Sequence, residues 1–251
     1  MFFGLDLNQI FTFPLKDAEA RKHFLTGSLV SLAGFIIPIL PFLVMYGYAV
    51  RIARQILNNE SPRMVEWDDW GGMATDGAKV FGVRLIYTLP ILILALPIFV
   101  ASFVMPIFMQ NASGSEAEAF LMIFMVIMFG SMCIFIPLSF AAGLIVPAAE
   151  MHSVDKSEFA AGFRVREWWA IFRANLGGFI AAFAVYYVAT IALTFIIQIL
   201  MATLIFACLI PILMPAVTFY TVLIMYATIA QAYKVGKEKL AQAVVSTEIA
   251  Q

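Results

Sequence analysis

The stretch LIYTLPILILALPIFVASFVMPIFMQNASGS, residues 85–115, decides the fold class, because none of its 31 residues is charged. A second uncharged run, also of 31 residues, follows at positions 119–149. Each run exceeds the roughly 20 apolar residues that an α-helix needs to cross a bilayer. Asn111–Ser115 lies between their apolar parts and has the composition of a polar turn. The two runs therefore predict a hairpin of two membrane-spanning helices over about residues 79–150.

The composition of the whole chain extends this prediction to the other long segments. Of the 251 residues, 63% are hydrophobic and 12% are charged, against the roughly 25% charged residues of globular proteins. Two further uncharged runs cover residues 25–50 and 174–233. The sequence therefore predicts an all-α fold, a polytopic helical membrane bundle that forms a single integral membrane domain over residues 1–251. Its expected solvent is the lipid bilayer, and no nucleic-acid partner is expected.

The Lys and Arg residues predict the topology, because they are confined to four segments. All 15 basic residues fall within 16–22, 51–84, 156–173 and 234–239, and the stretches between these segments contain none. The positive-inside rule places all four segments, and hence both chain termini, on the cytoplasmic side. Each stretch between them must then cross the membrane an even number of times. We expect about six transmembrane helices in three hairpins, at about 17–57, 79–150 and 174–234.

The first hairpin is the one for which the sequence leaves an alternative. Its uncharged run, residues 25–50, has 26 residues, which is long enough for one span. It makes two spans only if the whole of Asp17–Leu57 is used and the chain folds back at Pro38–Pro41, where proline ends a helix. The alternative is a bundle of five helices with one kinked first span.

Two segments near the predicted membrane surface combine tryptophan with charge. The first contains Val65–Trp70 (VEWDDW) within residues 62–76, and the second contains Phe163–Arg173 within residues 157–173; together they hold all four tryptophans. Indole rings favour the headgroup level, so both segments are predicted to be short amphipathic helices at the interface. The residues that we expect to contact the interface or a partner protein are Glu66, Trp67, Asp68, Asp69, Trp70, Arg164, Arg166, Trp168, Trp169 and Arg173.

The acidic cluster Glu66, Asp68 and Asp69 has two interpretations. Its carboxylates are expected to form ion pairs that lock the three hairpins together. The candidate partners are Arg51, Arg54, Arg164, Arg166 and Arg173. A divalent-ion site that also uses Glu150, His152 or Asp155 is the less favoured alternative, because the spacing matches no ligand loop. Glu150 is expected to snorkel at a helix end, and His23 and His152 are expected to be solvated or to cap helices.

Four short motifs carry a family resemblance. They are Phe13–Asp17 (FPLKD), Gly47–Arg54 (GYAVRIAR), Glu66–Gly71 (EWDDWG) and Asp76–Lys79 (DGAK). In these motifs, and more weakly through Arg164–Asn175 and the closing hairpin, the chain resembles the prokaryotic membrane proteins of the domain-of-unknown-function family 4013. The resemblance implies a multi-pass protein of the prokaryotic cytoplasmic (inner) membrane, and it implies no activity.

The sequence contains no recognisable catalytic motif. No HExxH, GxSxG, GxGxxG or P-loop pattern occurs, and the longest polar segment, 51–84, is too short for a soluble catalytic domain. Cys133 and Cys208 have no His or acidic neighbours, so we interpret them as small core hydrophobes. No metal and no cofactor are expected.

Three functional hypotheses follow from these observations. The favoured one is a non-enzymatic scaffold or accessory subunit that binds other membrane proteins, or further copies of itself. The alternative is a small-solute or lipid carrier or channel, built on helices that proline kinks. An enzyme with an unrecognised site at Glu66, Asp68 and Asp69 is the least favoured.

Overall fold

The computed structural model describes residues 3–111, 114–203 and 208–249. Within these ranges the chain forms α-helices joined by short connections, with two 3-10 helices at Phe13–Leu15 and Phe159–Phe163. The predicted all-α fold class is confirmed. The α-helices are α1 (Leu7–Thr12), α2 (Ala18–Ala33), α3 (Leu40–Leu57), α4 (Trp70–Asn111), α5 (Ser115–Lys156), α6 (Val165–Ala174), α7 (Leu176–Ala202) and α8 (Ile210–Ile249).

Aspartate side chains define where three of these helices begin. Asp6 accepts a hydrogen bond from the amide of Gln9 at the start of α1, and Asp17 accepts one from Ala20 at the start of α2. Asp69 accepts one from the amide of Gly72 at 2.8 Å, and α4 begins at Trp70, directly after Asp69. These contacts satisfy amides that have no partner within the first turn of a helix.

Four of the described helices, α4, α5, α7 and α8, are long and apolar enough to cross a membrane. The expected six spans also counted α2 and α3, which have 16 and 18 residues and do not belong to this group. The reason is charge as well as length. The first half of α2 carries Glu19, Arg21 and Lys22, and the second half of α3 carries Arg51 and Arg54.

The chain divides into two compact units. The first comprises Met1–Val83 and Pro147–Gln251, and the second comprises Arg84–Val146. Helix α8 is the centre of the first unit, because α1, α2, α3, α6 and α7 all pack against it. Its buried aromatic side chains are Phe219, Tyr226 and Tyr233.

The second unit contains the predicted central hairpin. Helix α4 ends at Asn111 and α5 begins at Ser115, as the polar turn predicted; Ala112 and Ser113 lie outside the described residues. The rings of Phe108 and Phe120 pack near this turn, with centroids 5.4 Å apart. Most of the large apolar side chains of the unit are exposed, as expected of helices whose solvent is lipid.

The two cysteines are not core residues. The side chains of Cys133, in α5, and Cys208, just before α8, are both exposed. The prediction that they pack inside the protein is wrong, because an apolar residue on a membrane helix has lipid as an equally apolar alternative environment.

Only one of the two predicted interfacial segments forms a separate helix. Residues 60–69 run as irregular chain, and helix begins only at Trp70, within α4, so the helix predicted at 62–76 is wrong. Pro62 lies in this segment and disfavours helix at the residue before it. The second segment does form the predicted amphipathic helix, α6, but its buried residues face α7 and α8 of the same chain.

Candidate functional site

An aromatic cluster holds the first tryptophan segment on the first unit. The rings of Tyr48 and Trp67 stack with centroids 4.1 Å apart, and both contact the ring of Phe219 from α8. The Trp67 indole N–H donates a hydrogen bond to the backbone carbonyl of His23, at 3.1 Å. Trp70 contacts Trp67 with centroids 5.3 Å apart, yet 46% of Trp70 is exposed. Trp67 therefore anchors the segment, whereas Trp70 faces outward.

The hydroxyl of Tyr48 holds the irregular chain in place beside this cluster. It donates a hydrogen bond to the carbonyl of Val65 at 2.8 Å and accepts one from the amide of the same residue at 2.9 Å. Tyr48 is fully buried, and this burial raises the pKa of its hydroxyl well above the ordinary value. The hydroxyl therefore stays protonated and satisfies both backbone groups of Val65.

The Tyr48→Phe substitution is expected to lower the free energy of unfolding by about 1–3 kcal/mol, because it leaves two backbone groups without a partner. Unfolding in mild detergent, followed by circular dichroism, measures this loss. Tyr186→Phe is the matched control, since the Tyr186 hydroxyl makes no hydrogen bond within the described part of the chain. An equal loss in both variants would contradict the assignment.

The acidic cluster forms ion pairs with α3. Asp69 makes a close ion pair with Arg51, and Asp68 lies 3.8 Å from the same guanidinium. The backbone amide of Gly72, and then Arg51, hold the pKa of the Asp69 carboxyl below its usual range. The predicted ion pairing of this cluster is thus confirmed for Arg51. Glu66 is exposed and makes no ion pair among the described residues.

Arg54 has a different partner from the predicted one. Its guanidinium donates two hydrogen bonds to the carboxylate of Asp76, at 2.5 and 2.9 Å, and Lys79 lies 4.0 Å from that carboxylate. Asp76 belongs to the DGAK motif, but no role was predicted for it. Its spacing of seven residues from Asp69, two helical turns, could have indicated that both carboxylates face α3, Asp69 just before α4 and Asp76 within it.

The second tryptophan segment shows the same division into one buried and one exposed indole. Trp168 is 2% exposed within α6, whereas Trp169 is 37% exposed and stacks on Phe172 with centroids 5.2 Å apart. Arg164 pairs with Glu158 at 2.6 Å. Arg166 and Arg173 are exposed and make no ion pair within the described ranges. The predicted ion pairs between these three arginines and the acidic cluster are therefore wrong.

A buried polar network joins the end of α5 to α6 and α8. The two ring nitrogens of His152 lie 2.6 Å from the hydroxyl of Tyr233 and 3.0 Å from the carboxylate of Glu167. Glu150 is completely buried, and the hydroxyl of Tyr226 donates a hydrogen bond to it at 3.4 Å. Glu150 does not snorkel and His152 is not solvated, because α8 supplies tyrosine partners inside the protein.

The divalent-ion alternative named Glu150, His152 or Asp155 together with the acidic cluster. Lys237 binds the carboxylate of Asp155 at 2.8 Å, so Asp155, like Glu150 and His152, has protein partners away from the acidic cluster. Across residues 3–111, 114–203 and 208–249, no group of three or more His, Cys, Asp or Glu residues is arranged to hold a metal ion. Asp155, Glu150 and His152 link the end of α5 to α8.

The chain is similar to one protein family over most of its length. The sequence model of the family described as "Protein of unknown function (DUF4013)" matches residues 30–205, which are 176 of the 251 residues. The chain belongs to the DUF4013 family. The matched range contains both tryptophan segments and leaves Phe13–Asp17 and α8 outside. No curated protein and no solved structure matches the chain.

This DUF4013 protein has an open cleft beside the first tryptophan segment. Its volume is about 570 Å³, and it lies between the start of α2 and the irregular chain that precedes α4. The charged and polar residues that line it are Lys16, Asp17, Glu19, His23, Gln55, Ser61, Arg63 and Glu66. None of its lining residues comes from α4, α5, α7 or α8.

The predicted contact residues of the DUF4013 chain thus separate into two classes. Trp67 and Trp168 are packed inside the first unit. The other predicted contact residues are exposed in both segments, and of these Asp69 and Arg164 are held in ion pairs. The exposed residues outside close ion pairs are Glu66, Asp68, Trp70, Arg166, Trp169 and Arg173.

Proposed function

We propose that this protein is a non-enzymatic membrane scaffold or accessory subunit that binds another membrane protein through the surface around Trp70. The observation that carries the proposal is the exposure of the Trp70 indole on a segment that Trp67 and Tyr48 hold rigidly. A large, exposed and preorganised aromatic side chain is typical of the residues that dominate binding energy at protein interfaces.

The acidic residues near Trp70 favour a protein partner over a lipid surface as the binding partner of this indole. Glu66 and Asp68, both exposed, flank Trp67 two to four residues before Trp70. An anionic leaflet would repel these carboxylates, whereas a basic segment of a partner protein would attract them. Trp169 has more basic surroundings, since Arg166 and Arg173 on the same helix are exposed, whereas the acidic Glu167 lies 3.0 Å from His152. We assign Trp169 to headgroup contact and Trp70 to the partner protein.

The carrier hypothesis receives less support. The described cleft is lined by the start of α2, the irregular chain, Phe13 and Gln55 of α3. None of the helices long enough to cross a membrane contributes to it. A solute path would need polar groups between such helices. Polar groups do meet between α5 and α8, but there Glu150 and His152 bind Tyr226 and Tyr233, so the scaffold proposal is favoured on the exposure of Trp70.

The Trp70→Ala substitution is expected to reduce recovery of the partner at least about tenfold, the effect of a single interface hot spot. The measurement is affinity purification in mild detergent at native abundance, with quantitative mass spectrometry of proteins that copurify stoichiometrically. The thermal unfolding midpoint should stay close to that of the unchanged protein, because the Trp70 side chain is half exposed.

Two matched variants make this experiment specific. Trp169→Ala also removes an exposed indole, and it should leave the partner bound. Trp67→Ala removes a packed indole and should lower the unfolding midpoint. Undiminished recovery of every stoichiometric partner with Trp70→Ala would refute the proposal, and lipid or solute flux in reconstituted vesicles above protein-free controls would favour the carrier.

A further inference from the structure

The connection between α2 and α3 consists of apolar residues with exposed side chains. Phe35, Ile36, Ile37, Ile39 and Leu40 are between 54% and 82% exposed. The α4–α5 connection, Asn111–Ser115, is instead made of polar and small residues. Water is an unfavourable environment for five large exposed apolar side chains within six residues, so this tip requires an apolar environment, either lipid or another protein surface.

Most amides of the tip already donate hydrogen bonds within the protein, which lowers the cost of placing them in lipid. The amides of residues 34, 35, 36 and 37 donate to the carbonyls of Ser31, Leu32 and Ala33 at 2.9–3.1 Å. Pro38 and Pro41 have no amide hydrogen to satisfy. Ile39 adopts a φ of 76°, which turns the chain so that the Leu40 amide donates to the Pro38 carbonyl at 3.0 Å. Few tip amides would therefore lose a water partner on entering lipid.

The two helical arms are apolar toward the tip and charged toward their far ends. No charged residue occurs from Phe24 to Val50, whereas Lys22 and Arg51 follow immediately on either side, with His23 at the edge. The uncharged part of each arm is about 10 residues, or about 15 Å, half of a hydrocarbon core of about 30 Å. Each arm is therefore long enough for one leaflet and too short for two.

We propose that the α2–α3 hairpin inserts its tip into the lipid of one leaflet and returns to the side from which it entered. The hairpin then crosses the membrane zero times, an even number, so Arg21, Lys22, Arg51 and Arg54 still share one side with the other basic segments. Gly27 lies against Phe219 and both arms pack on α8, which holds the inserted tip in a fixed position. This inference is independent of the partner-binding proposal.

The test uses single cysteines in a background that carries Cys133→Ala and Cys208→Ala. Ile36→Cys places the probe at the tip, where the side chain is 82% exposed and little packing is lost. Glu60→Cys marks the side of the basic segments, and Ser115→Cys marks the α4–α5 turn; both positions are exposed. A membrane-impermeant maleimide is applied to sealed vesicles of each orientation, and a nitroxide on the same cysteines reports collisions with oxygen and with a water-soluble nickel chelate.

The expected result is that Ile36→Cys reacts from neither side until detergent is added, while its nitroxide collides more with oxygen than with nickel. The Glu60→Cys nitroxide should show the reverse order. Labelling of Ile36→Cys from the Ser115 side would overturn the inference in favour of two full spans. Labelling from the Glu60 side would place the tip in water, and a nitroxide protected from both collision partners would show that protein covers the tip; either result overturns the inference.

Discussion

The Gly47→Ala variant is expected to lose about 3 kcal/mol or more of unfolding free energy, the upper range of overpacking changes. A β-carbon at this position of α3 would overlap the backbone carbonyl of Met73 in α4. Gly77 has the same relation to the carbonyl of Leu43, so the two helices are in backbone contact at two glycines. A backbone carbonyl within a helix cannot rotate away, and the helices must separate to admit a methyl group.

The measurement for Gly47→Ala is the unfolding midpoint in mild detergent together with yield of monodisperse protein. Gly71→Ala is the matched control, because a β-carbon at Gly71 in the first turn of α4 would meet no atom within 4 Å. Alanine there should leave stability unchanged or raise it by up to about 1 kcal/mol, through the helix propensity of alanine. Equal midpoints for both variants would contradict the close approach of α3 and α4.

The Arg54→Met variant is expected to lose about 2–3 kcal/mol of unfolding free energy. Removal of one member of a buried ion pair typically costs about 3–5 kcal/mol, and the partial exposure of Arg54 reduces that cost. The Asp76 carboxylate, 13% exposed, would keep only the more distant Lys79 as a cation. Methionine retains much of the length of arginine, so the loss reports mainly on charge and hydrogen bonding.

The double variant Arg54→Met with Asp76→Leu should recover much of that loss, because no buried charge then remains unpaired. Arg166→Met is the control for the substitution itself; Arg166 is exposed and its removal should change stability by less than about 0.5 kcal/mol. A loss in Arg54→Met no larger than in Arg166→Met would show that the pair with Asp76 does not stabilise the fold.

The parts of the fold that the sequence predicts are those that depend on local composition. Uncharged runs mark the long helices α4, α5, α7 and α8, and the turn at Asn111–Ser115 ends one of them because its residues are polar and small. The amphipathic helix α6 is likewise a local pattern, with Trp168 and Phe172 on its buried side and Arg166 and Arg173 exposed. Helix periodicity alone accounts for that assignment.

The residues that sequence reasoning misplaced are those whose partners are distant in the chain. Glu150 and His152 follow an apolar run and resemble interfacial residues, yet their tyrosine partners are 76 and 81 residues away. Trp67 resembles a membrane anchor, but its position is set by Tyr48 and by Phe219 from α8. No local pattern distinguishes an indole that packs against protein from one that contacts lipid, because both environments are apolar.

The central position of α8 constrains how the protein is made. The helices α1, α2, α3, α6 and α7 all pack on α8, which follows them in the chain and leaves the ribosome after them. The first unit therefore cannot complete its core before α8 has been synthesised, and the apolar faces of its earlier helices stay without their partner until then. The central hairpin also precedes α8 in the chain, so the first unit assembles around a helix that is synthesised after the helices it organises.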